Sequence, residues 1–381
     1  MKMAEMTSNT TQVIEIALMV GLQGSGKTFY AQECLRVLKP TYYYSADKIR
    51  LEHPEWDNAP VFQELHAQLT DIFCKIMEGS VPNWMIVIDN TNATRKQRKQ
   101  FFNFLLEFER KHYSEFRLPR PFSNEPLFKF EVEANVMTTP YEECLSRIKS
   151  REITEHKHIP VEVLNRYYRS FQIPFYEEGF TRINLIDYKK LVPIEYVEFD
   201  KTAYDAIMDQ FNAFDQENRH HWFTLGEHMT NAAKAYCMTW GHSSNPVIEA
   251  ALLIHDYGKY YTKTWGDEDN EAHYFSHAEV GTYRLLSHLE LIPWSSHKKR
   301  DMRDILRVLF YVNYHMLPFS WQWKSEDWGK TKDWDPKVIP NKTRAFFSLS
   351  SANAKDADRC IFNLLYFYSI DSYAATHTPL V

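Results

Sequence analysis

The chain has 381 residues with a net charge of −6 at pH 7, 44% hydrophobic and 25% charged, the makeup of a folded globular protein rather than of a disordered or collagen-like one. This acidic balance excludes a wide basic surface for a long polyanion, so any nucleic-acid contact is expected as a local pocket for a strand end. No run approaches the roughly 20 apolar residues of a membrane span, the first dozen residues lack an apolar signal core, and Cys34, Cys74, Cys144, Cys237 and Cys360 have no paired spacing for zinc or a disulfide framework; a soluble protein of the reducing cytoplasm, with no membrane partner, is expected.

The length suggests two domains, expected at residues 1–190 and 200–381 with a link at Lys190 to Asp200, where Tyr196 to Phe199 reads as one more strand. In the first, apolar strand-like runs occur at Val13 to Val20, Thr41 to Tyr44, Met85 to Ile88 and Leu127 to Ala134, with helical patterns after the first, third and fourth. Such alternation predicts an α/β domain, a parallel sheet covered by helices. Ligands of these sheets bind beyond the carboxyl ends of the strands, so the residues there are the candidates for chemistry.

After the first run comes Gly21-Leu22-Gln23-Gly24-Ser25-Gly26-Lys27-Thr28, a phosphate-binding loop between strand and helix. Backbone N–H groups of Gly21, Gly24, Ser25 and Gly26 and the helix start suit the phosphates of a nucleoside triphosphate. Lys27 suits the β and γ phosphates, and the Thr28 hydroxyl suits Mg²⁺. ATP, or another nucleoside triphosphate, with Mg²⁺ is the expected cofactor.

After the second run, Asp47 and Arg50 lie three apart, on one face if a helix starts there. One offers a proton acceptor for an incoming hydroxyl, the other a fork for a phosphate, although an Asp at a helix start is more often an N-cap. After the third, Asp89-Asn90-Thr91-Asn92 either orders Mg²⁺ or caps the helix that begins near Arg95. Arg147 and Arg151, four apart, share a helix face that either closes over a triphosphate or is simply solvated.

Taken in order, and with His158-Ile159-Pro160-Val161-Glu162-Val163-Leu164 behind them, these motifs resemble the bacteriophage polynucleotide 5′-kinase family over about residues 13 to 175. The resemblance implies Asp47 as general base, Arg50 and Thr91 beside the acceptor 5′-OH, and Arg147 and Arg151 on the nucleotide phosphates, with Lys27 and Arg151 as catalytic cations. The family has Asp-Thr-Asn where this chain has Asn90-Thr91-Asn92, which leaves Asp89 without a role taken from it.

Beyond roughly residue 200 the strand alternation gives way to longer helical patterns dense in histidine. His228, the His255-Asp256 doublet after the apolar run Ala250 to Ile254, His277, His315 and Asp371 are ligand types that hold Fe, Mn, Co, Ni or Zn, and a divalent ion neutralises His and Asp that are costly to bury. The order His228, His255-Asp256, Asp371, with Tyr257-Gly258-Lys259 after the doublet, resembles the HD superfamily of metal-dependent phosphohydrolases over about residues 215 to 376. The resemblance implies an all-α domain, one metal on those four residues, a second with His277 and His315, and Lys259 on the scissile phosphate.

A kinase for 5′-OH ends joined to a phosphohydrolase fits the healing of RNA breaks, which leave a 5′-OH and a 2′,3′-cyclic phosphate, and the pair resembles bacterial end-healing enzymes that carry the two domains in the opposite order. RNA or DNA ends are then the substrates, cyclic or terminal phosphates are hydrolysed, and an RNA ligase acts downstream. Two alternatives stay open: a nucleoside or small-molecule kinase joined to an HD nucleotidase, and an HD half that senses or docks nucleotides without catalysis. The stretch Pro318 to Trp334, with Trp321, Trp323, Trp328 and Trp334, either stacks bases or packs over its own domain.

Overall fold

Successive residues of a strand point to opposite faces of its sheet, and in β1 (Gln12–Val20) both faces are buried: Ile14, Ile16, Leu18 and Val20 enter the larger core, Ala17 and Met19 a smaller one. That two-sided burial is why the run is nearly continuous in apolar residues. The structure, a computed structural model, describes residues 11–112, 128–155, 158–241, 245–266, 270–294, 300–321 and 354–378. β1 is the centre of five parallel strands ordered β2-β3-β1-β4-β5, with β2 Thr41–Tyr44, β3 Met85–Ile88, β4 Phe128–Met137 and β5 Arg182–Ile186. The strand order reverses at β1, so a crevice opens beyond its carboxyl end and that of β3.

β2 and β3 fall where the sequence places them, β4 runs on to Met137, and β5, a five-residue RINLI segment, was not foreseen. Between β1 and β2 the chain runs through α1 (Lys27–Phe29), π-helical turns at Tyr30–Leu35 and α2 (Arg36–Leu38). The sequence pattern marks no helical run after β2, yet α3 (Ala46–Glu52) and α4 (Asn58–Met77) lie there. The Asp57 side chain caps α4 at Ala59 N, 3.0 Å. α5 (Arg95–His112), α6 (Tyr141–Glu155) and α7 (Val161–Tyr168) complete this half.

The remainder is mostly helical: α8 (Lys201–Asn212), α9 (Leu225–Trp240), α10 (Pro246–Leu252), α11 (Lys259–Thr262), α12 (His277–Leu286), α13 (Met302–Tyr314) and α14 (Ala354–Ala374). The strand read at 196–199 exists as β6 (Tyr196–Val197), but it pairs with β9 (Arg300–Asp301) and so belongs to this half; β7 (Thr264–Trp265) pairs with β8 (Ala272–His273). No described helix is long and apolar enough to cross a membrane. Most of the Trp-rich stretch lies outside the described residues, beyond the turn at Pro318–Trp321.

The larger core is continuous through both halves. Phe175 packs on Phe310 and Tyr314. The Asn313 side chain accepts from Ile173 N (2.7 Å) and donates to Phe171 O (3.1 Å). Within the first half, fully buried Arg98 forks onto Glu178 (2.7 and 2.8 Å) and donates to Asn92 O and Gln172 O, which fixes the loop after β3 against the segment after α7. A guanidinium with all its bonds satisfied in this way can be buried.

Candidate functional sites

The phosphate loop turns back over the end of β1 and sits directly on α6. Gly24 (φ +76°) holds a left-handed conformation, and a Cβ there would lie 2.6 Å from the Cys144 carbonyl oxygen, so the loop tolerates no side chain at that point. Gly21 N donates to Thr91 O (3.0 Å), and the Thr139 hydroxyl donates to Ser25 O (2.7 Å). No side chain caps the start of α1, which leaves its first N–H groups for a ligand. The Lys27 amine donates to Leu22 O (2.7 Å). Burial lowers its pKa from the usual value, while the Asp89 carboxylate opposes that shift.

Thr28 Oγ1 and the Tyr43 hydroxyl both donate to Asp89 Oδ2, each at 2.6 Å. A hydroxyl and a carboxylate are thereby joined at the carboxyl edge of β1 and β3, oxygen donors of the kind that suit Mg²⁺. Tyr43 was not foreseen; only its place at the end of β2 hints at it. The Asn-Thr-Asn run works as a stitch: the Asn90 side chain accepts from Ala46 N (2.9 Å), Asn92 donates to Met19 O (2.8 Å), and Thr91 meets the loop through its carbonyl.

Because Ser45 is the N-cap residue of α3 and Ala46 N goes to Asn90, Asp47 has no capping bond and its carboxylate is free to face outward. It receives Arg50 Nη1 at 2.7 Å, with Arg50 Nη2 on Asn58 Oδ1 at 2.9 Å. Asp47 and Arg151 both act on the Lys27 charge, in opposite senses. Arg147 reaches Gly24 O (3.4 Å) and is held by Glu143 (2.7 Å). Direct contacts therefore link the loop to Thr91, Asp89 and Arg147, while Asp47 and Arg151 act on Lys27 through charge alone. The Asp47–Arg50 pair is exposed, the kind of ion pair that water and a substrate open at little cost.

In the helical half, α9 supplies His228, the turn after α10 supplies His255 and Asp256, α12 begins with His277, His315 follows α13, and α14 carries Asp371. The doublet lies in the turn between α10 and α11. One ligand atom from each of His228, His255, Asp256 and Asp371 lies within 4.8 Å of the others, and the same holds for Asp256, His277 and His315. Asp256 thus belongs to both groups: Oδ2 is 3.3 Å from His228 Nε2 and 3.4 Å from His255 Nε2, and Oδ1 is 3.3 Å from His277 Nε2 and 3.6 Å from His315 Nε2.

The imidazoles are aimed from behind. Nδ1 of His255, His277 and His315 each lies 2.7 to 2.9 Å from the carbonyl three residues back, at Leu252, Tyr274 and Val312. Each Nδ1–H donates there, which makes Nε2 the nitrogen aimed inward, the arrangement of metal-ligating histidines. His228 Nε2 is 2.9 Å from Asp371 Oδ1 but makes no aligned hydrogen bond, as expected of a ring that points between the carboxylates. Burial disfavours charge on His255, yet Asp256 and Asp371 outweigh it and push its pKa up to about 10, while both carboxylates are held well below their usual range. A set of N and O donors with this much buried charge fits a divalent transition metal such as Mn, Fe, Co, Ni or Zn.

Lys259 donates to Asp256 Oδ2 (2.6 Å) and Gln216 Oε1 (3.0 Å), with His221 Nε2 at 3.2 Å. Gln216 and His221 escaped the sequence reading because they lie outside the recognised ligand order. Burial, then the neighbouring Lys259 charge, lowers the His221 pKa to about 3, so it is neutral. Gly258 is required here, since a Cβ would run into the His277 carbonyl oxygen as the turn packs on α12.

Residues 16–174 match a family model described as an AAA domain, and the five-stranded parallel sheet with its helices is a P-loop kinase-like fold. No curated protein matches the chain. Among solved structures, the chain is similar to one in the Pnkp1/Rnl/Hen1 RNA repair complex (17% identity, TM-score 0.31, 42% of this chain and 44% of that one). It is similar also to a fungal RNA kinase (15%, 0.33, 54% and 87%) and to a deoxyadenosine kinase from M. mycoides (18%, 0.26, 52% and 100%). The match spans less than half the length of the repair-complex chain. Residues 16–174, less than half of the chain, are thus a P-loop kinase-like domain that matches this family model.

Proposed function

We propose that the chain is a bifunctional nucleic-acid end-healing enzyme: a polynucleotide 5′-kinase followed by an HD-type phosphohydrolase that acts on 2′,3′-cyclic or terminal phosphates. The observation that carries this reading is the presence, on one continuous core, of a phosphate loop whose Lys27 feels the Asp47 charge, with Arg50 paired to Asp47, and of an imidazole–carboxylate cage built around Asp256.

In the kinase cleft, loop N–H groups and Lys27 hold the triphosphate, the amine exchanging Leu22 O for phosphate oxygens. Arg50 turns from Asp47 to the phosphate next to the acceptor hydroxyl, and Asp47 Oδ1, so released, takes the 5′-OH proton as that oxygen bonds to the γ-phosphorus, whose bond to the β,γ-bridging oxygen breaks so that the nucleoside diphosphate leaves. Arg147 and Arg151 offset charge on the phosphates. Mg²⁺, for which Thr28 and Asp89 are the ligand side, supplies further neutralisation when bound.

In the cage, His228, His255, Asp256 and Asp371 would hold one ion and Asp256, His277 and His315 another; such ions, when bound, would supply an activated water and a polarised phosphoryl group. Lys259 holds a phosphate oxygen, and Gln216 and His221 orient its amine. The ends produced are those an RNA ligase joins.

The test is to incubate the protein with ATP, Mg²⁺, Mn²⁺ and an RNA bearing a 5′-OH and a 2′,3′-cyclic phosphate. The expected result is phosphate gained at the 5′ end and the cyclic phosphate opened or removed. Phosphorylation of free nucleosides alone would replace this reading with the metabolic one.

A further inference from the structure

Trp222 (72% exposed) and Phe275 (68%) are the two most exposed aromatic side chains among the described residues. Each directly follows a residue packed on Lys259: His221 lies 3.2 Å from the amine, and the Tyr274 ring centroid lies 5.7 Å from it. Rings of this size left in water forgo burial energy, and each of these stands one residue along the chain from a contact of the Lys259 amine.

Both rings are backed. Trp222 N donates to Ala375 O (3.0 Å), and its ring is stacked at 6.5 Å on His377, which is stacked at 4.6 Å on Tyr373, two residues from Asp371. Phe275 is stacked on His273 at 5.4 Å, with the planes 11° apart. The segments that carry the two rings are tied together by Ala272 N to Glu217 O (3.0 Å), Asn218 Nδ2 to Ala272 O (2.8 Å) and the Tyr274 hydroxyl to Gln216 O (2.6 Å). The rings therefore stand on one braced rim that includes the contacts of Lys259.

We infer that Trp222 and Phe275 are stacking platforms for the bases next to the phosphate held at Lys259, so that the helical half takes the end of a single nucleic-acid strand and not a small phosphate ester. The inference rests on the hydrolytic reading above and names its substrate class. Stacking suits this chain: every base offers a π-face, and an overall acidic protein gains little from long-range attraction to a polyanion.

Steady-state hydrolysis of a short oligonucleotide ending in a 2′,3′-cyclic phosphate tests it. Trp222→Ala and Phe275→Ala should each raise KM about five-fold or more, with kcat changed much less and Trp222→Phe restoring most of the loss. The rise should be absent when the terminal nucleotides lack bases. Equal KM for variant and wild type on the base-bearing strand overturns the inference. If the wild type hydrolyses no such strand, the hydrolytic reading fails separately, and stacking is then read from fluorescence anisotropy of a labelled strand in an Arg50→Ala background. Weaker binding of the ring variants sustains a base platform, and unchanged binding rejects it.

Discussion

The two halves build their sites in opposite ways. The phosphate loop is eight consecutive residues whose ligands are mostly backbone N–H groups, whereas the cage draws six side chains from five separate segments spread over residues 228 to 371. A local site is shaped by φ and by one close neighbour, as Gly24 is by Cys144. A dispersed site depends on the packing of every helix that supplies it and keeps its aim through bonds behind the ligands, such as His315 Nδ1 on Val312 O. The first should therefore tolerate changes in distant packing better than the second.

The largest expected effect tests their independence. Asp256→Ala removes the carboxylate common to both ligand groups and should lower hydrolysis by about 10³-fold or more while phosphorylation of 5′-OH ends is retained. A parallel fall in kinase rate would mean that the halves do not work separately. Asp47→Ala should do the reverse, with kcat for phosphoryl transfer down about 10²- to 10³-fold and hydrolysis intact; ordinary end-labelling by that variant would remove Asp47 as the base.

Arg50→Ala should raise KM about 10- to 100-fold for acceptors that carry a neighbouring phosphate, since a charge-assisted fork is lost, and much less for free nucleosides. Equal losses on both would favour a small-molecule acceptor. In the cage, the carboxylates raise the His255 pKa to about 10, so at neutral pH an incoming metal must displace a proton. Metal affinity should then increase about tenfold per pH unit between pH 6 and 8, a slope that calorimetry with Mn²⁺ measures; a flat profile would show that no ligand is protonated there.

The smallest effect concerns the seam. The Tyr283 hydroxyl on α12 donates to Thr139 O (2.9 Å), while the Thr139 side chain holds Ser25 O in the loop. Tyr283→Phe should cost about 1 kcal/mol of stability and raise KM for ATP two- to five-fold, about what one neutral hydrogen bond accounts for. A wild-type KM would show that the loop holds its shape without the helical half.

Legibility followed the same division. Gly21 to Thr28 could be read because a contiguous motif carries its own geometry, and the strands at Thr41–Tyr44 and Met85–Ile88 because β-branched, aromatic and apolar runs of that length are bounded by polar turns. Helices α3 and α4 were missed since the periodicity after β2 is broken at His53 to Asp57, and β5 because its exposed Arg182 and short length give little alternation. Arg98, one of a basic cluster by sequence, proved to be the buried anchor of the loop after β3, which no spacing rule reveals.

By itself the sequence determined the phosphate loop, the central strands and the list of imidazoles and carboxylates available for an ion, because those depend on residue type and near-neighbour order. Only the tertiary structure decided that Asp89 meets Thr28 and Tyr43, that Asp256 serves both ligand groups, and that Gln216 and His221 attend Lys259. The physical reason is that hydrogen bonds and ligand cages act over about 3 Å, while the residues that form them stand tens of positions apart, and nothing short of the packed core brings them within that range.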